Sequence, residues 1–223
     1  MILAAGRGER MRPLTDTTPK PLIKANNKPL IQYHIESLAI AGFTEIIINH
    51  AYLGSQIENF LGDGRKFGVN IHYSPEVTAL GTGGGIVQAL PLLGSQPFLV
   101  VNSDVWCNVP FAMIQLPRGA LAHLVLVKNP IHNPHGDFVL KDNYVQNPQA
   151  GEHTATFSGI GIYDPALFAN YPSKNFPLTP LLRTTCKLGK VSGEYHNGYW
   201  LDVGTPARLL ELEQILTKLS INQ

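Results

Sequence analysis

The amino-acid sequence predicts an α/β fold with a mostly parallel β-sheet and helices on both faces. Short apolar runs alternate along the chain with stretches in which apolar residues recur at helical spacing, and that order is typical of a parallel sheet. The chain also contains 21 glycines and 17 prolines among its 223 residues, a proportion above the average that indicates many tight loops. Loops carry much of the chemistry of α/β enzymes, so functional residues are expected in them.

Each predicted element follows from its local pattern. Buried parallel strands read as continuous apolar runs, and such runs lie at residues 1–5, 46–49, 69–73, 98–101 and 121–127. Apolar residues at helical spacing predict helices over residues 30–39, 53–61, 83–92, 179–188 and 206–219. Pro29 and Gly42 provide start and stop signals for the first of these helices.

The pattern changes after residue 128. Residues 132–147 combine proline, glycine and asparagine with short strands, and further strands are predicted over 154–163 and 199–203. The last helix is amphipathic and closes the structure, since one of its faces carries Leu209, Leu212, Leu216 and Leu219. With neither a polar linker nor an internal repeat, residues 1–223 are expected to form a single domain.

The charge balance excludes several classes of function. Lysine and arginine number 17 against 16 aspartates and glutamates, so the basic excess of a nucleic-acid-binding surface is absent. The apolar runs are far shorter than the roughly 20 residues that span a bilayer, and residues 1–5 lack the pattern of a signal peptide. Cys107 and Cys186 are expected to be buried thiols in a reducing compartment. A soluble, cytoplasmic chain without nucleic-acid or membrane partners is therefore expected.

The strongest local signal is a basic loop at residues 6–12, directly after the first strand. Gly6 and Gly8 allow successive backbone N–H groups to face one concavity, and the nearby cations are Arg7, Arg10, Arg12 and Lys20. Amides and cations together favour the binding of a polyphosphate. A Gly-x-Gly pattern by itself indicates an ordinary tight turn, and the flanking cations, Lys20 between two prolines above all, favour the phosphate site.

Two other glycine-rich phosphate sites do not match this loop. A dinucleotide-binding loop requires a third glycine, where Met11 stands, and an acidic residue about 20 positions later. Residues 25–29 contain no acidic residue, and no Gly-Lys-Ser/Thr of a Walker loop follows either. The loop therefore predicts a polyphosphate site of a different kind.

Two aspartates follow predicted strands. Asp104 comes just after the apolar run that leads to Asn102, and Asp202 comes before the turn at Gly204. Ligands of open α/β sheets bind at the carboxyl ends of strands, and Mg²⁺ usually takes one or two protein carboxylates. A capping role is the alternative for Asp104, while Thr205 is the expected N-cap of the last helix. We expect the two carboxylates to converge on one Mg²⁺.

A third signal is the glycine-rich segment from Gly81 to Gly85, at the start of a predicted helix. Thr82 lies within this segment, and Glu76 precedes it. Consecutive glycines permit the close approach of a flat or anionic group, and a flexible turn is the structural alternative. The segment is therefore a second candidate for contact with a ligand.

Together these segments resemble the sugar-1-phosphate nucleotidyltransferases, and the resemblance covers essentially the whole chain. The family signature Gly-x-Gly-x-Arg-[Met/Leu]-x-Pro-Leu-Thr, followed by Pro-Lys-Pro-Leu, matches residues 6–15 and 19–22. The resemblance implies a Rossmann-like sheet of the nucleotide-diphospho-sugar transferase type. It also implies a Mg²⁺-dependent reaction in which a nucleoside triphosphate and a sugar 1-phosphate give a nucleotide sugar and pyrophosphate.

The resemblance further implies a role for each matching residue. Nucleotide binding is assigned to Ala4, Ala5, Gly6, Gly8, Glu9, Arg10, Lys20, Glu76, Gly81, Thr82 and Asn102. The catalytic cations are Arg10 and Lys20, and the Mg²⁺ ligands are Asp104 and Asp202. Sugar binding is assigned to Gly136, Asp137, Ser158 and Gly159. The nucleotide half is then 1–128, the sugar-binding or lid half 129–205, and the closing helix 206–219.

Within the family, the resemblance is greatest to members that join UTP to N-acetylmuramic acid 1-phosphate in cell-wall sugar recycling. Enzymes that make thymidine or guanosine diphospho-sugars from glucose or mannose 1-phosphate share most other positions and stay alternatives. This chain departs from many relatives at Ser103, where glycine is frequent, and near residues 146–148, where Glu-Lys-Pro is absent. A sugar that carries a carboxylate should be met by a cation or by hydrogen-bond donors, for which the candidates are Arg183 and the loop of His132 and His135. A solvent-facing position on the helix over residues 179–188 is the structural alternative for Arg183.

Two other classes of protein are less consistent with these residues. Glycosyltransferases with a related sheet often carry Asp-x-Asp at the metal strand, whereas Asp104 is flanked by Asn102 and Trp106. A catalytically silent sensor of nucleotide sugars is expected to lose Arg10, Lys20 or a metal carboxylate, and all are present. The sequence leaves open whether the chain is a monomer or a homo-oligomer.

Overall fold

A computed structural model describes residues 1–221. The strands are β1 (Ile2–Leu3), β2 (Lys24–Ala25), β3 (Lys28–Pro29), β4 (Glu45–His50), β5 (Asn70–Pro75), β6 (Phe98–Asn102), β7 (Val105–Cys107), β8 (Ala122–Val127), β9 (Val139–Lys141), β10 (Tyr144–Gln146), β11 (Thr156–Tyr163), β12 (Val191–Tyr195) and β13 (Trp200–Asp202). The helices are α1 (Leu30–Ile40), α2 (Gly54–Leu61), α3 (Gly81–Leu93), α4 (Leu178–Lys187) and α5 (Pro206–Ile221). The predicted α/β class is confirmed.

The chain divides into two compact units that do not follow the order of the sequence. The first unit comprises residues 2–79, 102–112 and 199–221, and the second comprises Met1 with residues 80–101 and 113–198. The predicted halves, by contrast, meet at residues 128 and 129. Three separate segments build the first unit because β7 pairs with β13 and α5 follows directly. That residues 1–223 act as one domain stays a prediction.

The first unit contains the parallel strands that the apolar runs predict. They lie in the order β5–β4–β1, and both pairings are parallel. Ile46, Ile47 and Ile48 of β4 are all buried, as expected for a strand that is covered on both faces. The helix α1 ends just before Gly42, whose φ of 91° suits glycine and confirms the predicted stop signal.

The closing helix α5 packs on the rest of the first unit through one face. Leu212 is fully buried in a cluster with Met11, Trp106 and Val203, and the other leucines of that face, Leu209, Leu216 and Leu219, are partly buried against it. Thr205 caps the helix as predicted, since its Oγ1 accepts a hydrogen bond from the third helical amide. No helix within the described residues has both the length and the apolar character needed to cross a membrane.

The second unit holds a mixed set of strands in the order β6–β11–β8–β12–β10–β9. Only β8 and β12 pair in parallel there, and the remaining neighbours are antiparallel. The strand β12 was not predicted, because its sequence interrupts the apolar run with Ser192, Gly193 and Glu194. A shift of register in β11 between Phe157 and Gly161 forms a β-bulge, which re-aims the side chains at that point.

The consecutive glycines 83–85 lie inside the helix α3, in agreement with the helix predicted over residues 83–92 and in place of the flexible turn that was the alternative. The amides of Gly83 and Gly84 donate to the carbonyl of Phe176 at 3.1 and 3.3 Å. A Cβ atom on Gly83 would overlap with the ring of Phe176, and one on Gly84 would overlap with the carbonyl of Lys174. The close approach that these two glycines permit is therefore made by the chain's own residues 174–176.

Candidate functional site

The basic loop is shaped by a glycine that no other residue replaces easily. Gly8 has a φ of 71°, in the left-handed region. A Cβ atom on Gly8 would lie 3.0 Å from Lys20 Cβ and 3.1 Å from Thr15 Cγ2, and Thr15 Oγ1 donates to the Gly8 carbonyl at 2.9 Å. Gly8 therefore packs directly against Lys20. This contact brings the basic loop against the Pro-Lys-Pro segment.

The same loop presents backbone amides. The amides of Met11 and Arg12 donate to the carbonyls of Gly8 and Glu9 at 2.9 and 3.3 Å, and these bonds close a short 3₁₀ turn. The first N–H groups of such a turn have no partner inside it. The amides of residues 8–10 are therefore not used inside this turn, and the polyphosphate site that they would form stays a prediction.

The arginines of the loop differ in their partners. Two of them are held by acidic neighbours, in the ion pairs Arg7–Glu9 and Arg12–Asp16, both at 2.6 Å. Arg10 is exposed and makes no ion pair with any of residues 1–221. Of the three arginines, Arg10 is therefore the one whose charge is uncompensated and free to meet an anion.

Lys20 and the two aspartates lie together in the first unit. Lys20 Nζ donates to Asp104 Oδ2 at 2.6 Å, although Lys20 is only 8% exposed. The antiparallel register of β7 and β13 places Asp202 opposite Val105, and the Val203 amide donates to the Asp104 carbonyl at 2.7 Å. The two aspartates thus lie on adjacent chain segments, and the convergence of their carboxylates on one Mg²⁺ stays a prediction.

Asp202 has a partner that the sequence did not reveal. The amphipathic pattern of α5 predicts that Arg208 is a polar residue away from the core, without a functional role. In the structure Arg208 Nη1 donates to Asp202 Oδ1 at 2.5 Å, and its side chain is only 13% exposed. One sequence signal could have identified this contact. Arg208 lies three residues after the N-cap Thr205, in the first turn of the helix, and Asp202 lies three residues before that cap.

The two carboxylates suit a divalent cation with oxygen ligands. Asp104 keeps a third of its side chain exposed and Asp202 a fifth, at 33% and 19%. Mg²⁺ keeps several waters and is usually held by one or two carboxylates together with substrate phosphates. Asp104 and Asp202 supply that number of carboxylates, and no group of three or more potential ligands occurs in residues 1–221.

A buried hydrogen-bond chain holds the residue before the basic loop. Asn49 Oδ1 accepts from the amide of Ala4 at 3.0 Å, and Asn49 Nδ2 donates to Glu76 Oε1 at 2.6 Å. Asn49 and Glu76 are 2% and 6% exposed. Glu76, a predicted nucleotide contact, therefore has a structural partner, and Asn49 is a residue of this region that the sequence did not single out.

His34 lies behind the candidate metal ligands. This residue of α1 is fully buried and makes a hydrogen bond to the backbone of Val105, next to Asp104. Its Nε2 atom has no hydrogen-bond partner in the described residues. Burial lowers the pKa of His34 to about 4, while Val105 and Asp104 oppose that shift. The imidazole is therefore neutral near pH 7.

The thiols of the chain offer no nucleophile. Burial raises the pKa of both Cys107 and Cys186 to about 11, so both are protonated at neutral pH. Cys186 is buried as the sequence predicts, and Cys107 is partly buried.

The predicted sugar-binding residues belong to the second unit, where two segments meet. Asp137 Oδ2 accepts from the amide of Phe157 at 2.8 Å and from Asn133 Nδ2 at 3.3 Å. Gly136 has a φ of 59°. Ser158 and Gly159 lie in the bulge of β11, and Ser158 Oγ accepts from the Ile160 amide. Asp137 therefore anchors the bulged strand, and its contact with a sugar stays a prediction.

Two further features of the second unit lie near these segments in the sequence. The guanidinium of Arg183 lies over the ring of Phe138, with Cζ 5.4 Å from the centroid, and Phe138 follows Asp137 directly. A surface cavity of about 540 Å³ is lined by residues that include Asn129, Pro134, His135, Glu152 and His153. Gly81 and Thr82, which were predicted to bind the nucleotide, also belong to this unit. They are the first two residues of α3.

Sequence comparison places the chain among proteins of related chemistry. A profile of the nucleotidyl transferase family matches residues 1–218. The N-acetylmuramate alpha-1-phosphate uridylyltransferase of Neisseria meningitidis serogroup B is 55% identical, over 96% of this chain and 96% of that protein. The catalytic subunit beta of mannose-1-phosphate guanylyltransferase from Drosophila melanogaster is 31% identical, and this chain spans only 60% of its length.

Comparison with solved structures gives the same fold. A putative glucose-1-phosphate thymidylyltransferase from Bacillus anthracis superposes with a TM-score of 0.83, at 22% identity, over 96% of this chain and 93% of the other. HddC from Yersinia pseudotuberculosis, complexed with GMP-PN, gives 0.80 at 23% identity, over 96% and 97% of the two chains. These likenesses confirm the predicted fold class over nearly the whole chain.

Proposed function

Because this chain belongs to the nucleotidyl transferase family, we propose that it joins UTP to N-acetylmuramic acid 1-phosphate, forming a UDP-sugar and pyrophosphate. One observation carries the proposal for nucleotidyl transfer: Lys20, Asp104 and Asp202 lie together beside a loop that leaves Arg10 uncompensated. Cations and carboxylates around one point are what a reaction between phosphates requires. The product serves cell-wall sugar recycling in this proposal.

The reaction is a single in-line displacement. A phosphate oxygen of the sugar 1-phosphate attacks the α-phosphorus of UTP, the bond from that phosphorus to the bridging oxygen breaks, and pyrophosphate leaves with the electron pair. Enzymes of this chemistry contribute positioning and charge stabilisation, so no covalent nucleophile is required. Lys20, held by Asp104 and by the packing of Gly8, presents its ammonium near the α-phosphate, and Arg10 neutralises the leaving group.

Asp104 and Asp202 are the residues that would hold Mg²⁺. When bound, the cation would stabilise the negative charge of the reacting phosphates. The two carboxylates form ion pairs with Lys20 and Arg208. Each aspartate thus keeps a defined position, and the chain presents the site already formed.

Arg183 supports the choice of sugar. N-acetylmuramic acid differs from N-acetylglucosamine by a lactyl group that carries a carboxylate. The guanidinium of Arg183 stacks on Phe138, next to the predicted sugar contact Asp137, and a partly buried guanidinium is suited to bind a carboxylate. The relative that is 55% identical is named for the same sugar phosphate, which supports the proposal further.

A matrix of nucleoside triphosphates against sugar 1-phosphates, with pyrophosphate release as the readout, tests the function. UTP with N-acetylmuramic acid 1-phosphate should give the highest kcat/KM. Arg183→Gln should reduce its preference over N-acetylglucosamine 1-phosphate about 10- to 100-fold, because a charge-assisted hydrogen bond contributes about 1.5–3 kcal/mol. Lys187→Gln, on the exposed end of the same helix, is the matched control and should keep the preference.

Other results in the same matrix would replace the proposal. A higher efficiency with dTTP and glucose 1-phosphate, or with GTP and mannose 1-phosphate, would retain nucleotidyl transfer and reject the muramate assignment. If no pair releases pyrophosphate while a nucleotide sugar is consumed with an acceptor, the protein is a glycosyltransferase.

A further inference from the structure

Arg208 is held in a fixed orientation at the start of α5. Its backbone amide and its Nε atom both lie 3.4 Å from Thr205 Oγ1, which accepts from them. Its Nη1 atom donates to Asp202 Oδ1. Because a guanidinium is planar and its donors are fixed relative to each other, these bonds also fix the orientation of Nη2.

Nitrogens of two guanidinium groups, those of Arg208 and Arg10, lie close to Gly204. A Cβ atom on Gly204 would lie 2.5 Å from Arg208 Nη2 and 2.9 Å from Arg10 Nη2. Gly204 is not among the glycines with positive φ, so its backbone conformation is accessible to any residue. Glycine is therefore needed here for space, and the space that it leaves is occupied by the nitrogens of two arginines.

Two guanidinium groups at this separation repel each other. Arginine stays protonated in proteins, and like charges a few ångströms apart in a partly shielded site are unfavourable. Asp202 compensates Arg208 on one side, whereas Arg10 makes no ion pair within the described part of the chain. A multiply charged anion that contacts both groups relieves this repulsion, and the guanidinium fork matches phosphate oxygens.

We propose that Arg208, together with Arg10 beside Gly204, binds the β- and γ-phosphates of the substrate and then the pyrophosphate that leaves. The assignment rests on the proposed nucleotidyl transfer and extends it to a residue of the closing helix. Arg208 then has two roles, because it positions Asp202 through Nη1 and contacts the leaving group through Nη2. Gly204 has the role of keeping the space above it open for both arginines.

Binding of inorganic pyrophosphate to the metal-free protein tests this site without a catalytic step. Isothermal titration calorimetry in EDTA should show binding to the wild type, and Arg208→Gln should weaken it about 10- to 100-fold. Gly204→Ala should also weaken binding, because the methyl group displaces both guanidinium groups while every charge is kept. Arg65→Gln removes an exposed arginine paired with Asp63, and this matched control should bind as the wild type does.

The melting temperatures of the variants separate a loss of binding from a loss of fold. The assignment is overturned if the wild type does not bind pyrophosphate, or if a folded Arg208→Gln or Gly204→Ala variant binds it as tightly as the wild type. If Arg208→Gln does not fold, Gly204→Ala decides, since it keeps Arg208 and Asp202. The titration uses neither UTP nor a sugar phosphate, so its failure is distinguishable from a lack of activity in the substrate matrix.

Discussion

Lys20 and Arg10 carry the same charge in different surroundings. Lys20 is nearly buried and bonded to Asp104, while Arg10 is exposed and makes no ion pair within residues 1–221. A fixed cation stabilises charge that develops in the transition state without reorganising first. An exposed arginine is able to follow an anion that moves away. The two residues therefore suit the reacting phosphate and the leaving group respectively.

Lys20→Ala and Arg10→Ala should each lower kcat on the order of 100-fold, because each removes positive charge where negative charge accumulates. Steady-state kinetics and melting temperatures are the measurements. Lys20→Ala should also lower the melting temperature, since it leaves Asp104 without its bonded partner, whereas Arg10→Ala should not. Lys24→Ala removes an exposed lysine of the same segment and should keep wild-type turnover. A variant of either residue with unchanged turnover and unchanged stability would exclude that residue from the mechanism.

Asp104→Asn and Asp202→Asn should each weaken divalent-cation binding, because asparagine keeps the shape but loses the anionic charge. Binding of Mn²⁺, followed by electron paramagnetic resonance in the presence of UTP, measures the effect without turnover. The double variant should bind hardly worse than either single variant, since both carboxylates serve one ion. Losses that multiply in the double variant would indicate separate sites. Asp63→Asn, at an exposed ion pair, is the control.

At the scale of secondary-structure elements, three segments are joined by one side chain. Asn49 lies near the end of β4 and bonds both to Ala4, just after β1, and to Glu76, just after β5. The three strands are parallel, so their carboxyl ends lie at one edge, where α/β sheets bind ligands. The hydrogen-bond chain therefore fixes the direction in which the basic loop leaves the sheet.

Asn49→Ala should raise the KM for UTP about 10-fold or more and reduce kcat by a smaller factor. The reason is that the Ala4 amide loses its side-chain partner and the buried Glu76 carboxylate loses one of its interactions, and a buried polar group that is left unsatisfied costs about 1–3 kcal/mol. Kinetics at varied UTP, together with urea unfolding, measure both effects. Asn70→Ala breaks a similar bond, to the exposed Glu45, and should change neither KM nor kcat. If the KM of the Asn49 variant for UTP equals that of the wild type, the hydrogen bonds of Asn49 have only a structural role.

At the scale of the whole molecule, the buried His34 makes stability depend on pH. Its pKa is lowered from 6.5 to about 4 by burial, so between these values the unfolded chain takes up a proton and the folded chain does not. The associated stabilisation is complete above pH 6.5 and is lost as the pH falls toward 4. At about 1.4 kcal/mol per pH unit, the loss is on the order of 3 kcal/mol.

Urea unfolding of the wild type and of His34→Asn at pH 7 and at pH 4.5 measures this contribution. The variant should be less stable at pH 7 and should lose less free energy of unfolding on acidification than the wild type. His72→Asn replaces an exposed histidine that is paired with Glu45 and should keep the wild-type pH dependence. The same pH dependence in His34→Asn would show that His34 is not the group responsible.

Features with a local physical cause were predictable from the order of residues. The strand of three isoleucines in β4, the stop of α1 at Gly42 and the cap of α5 at Thr205 each depend on a few neighbouring residues. The basic loop and its Gly8 are local for the same reason, since the backbone conformation and the amides belong to consecutive residues. The proximity of the aspartates was predicted from the ends of parallel strands, whereas in the structure it comes from the antiparallel pairing of β7 with β13, which holds Asp202 opposite Val105.

The partners of these residues depend on packing between distant segments and had to be read from the structure. Asn49 in β4 donates a hydrogen bond to Glu76, which follows the neighbouring strand β5. Arg208 and Arg10 both lie close to Gly204, although nearly 200 positions separate the two arginines. The reason for the glycines of α3 also became clear only from packing, because Phe176 and its neighbours leave no room there for a side chain. Ion pairs and buried hydrogen bonds act over a few ångströms, and only folding brings residues far apart in the chain within that distance.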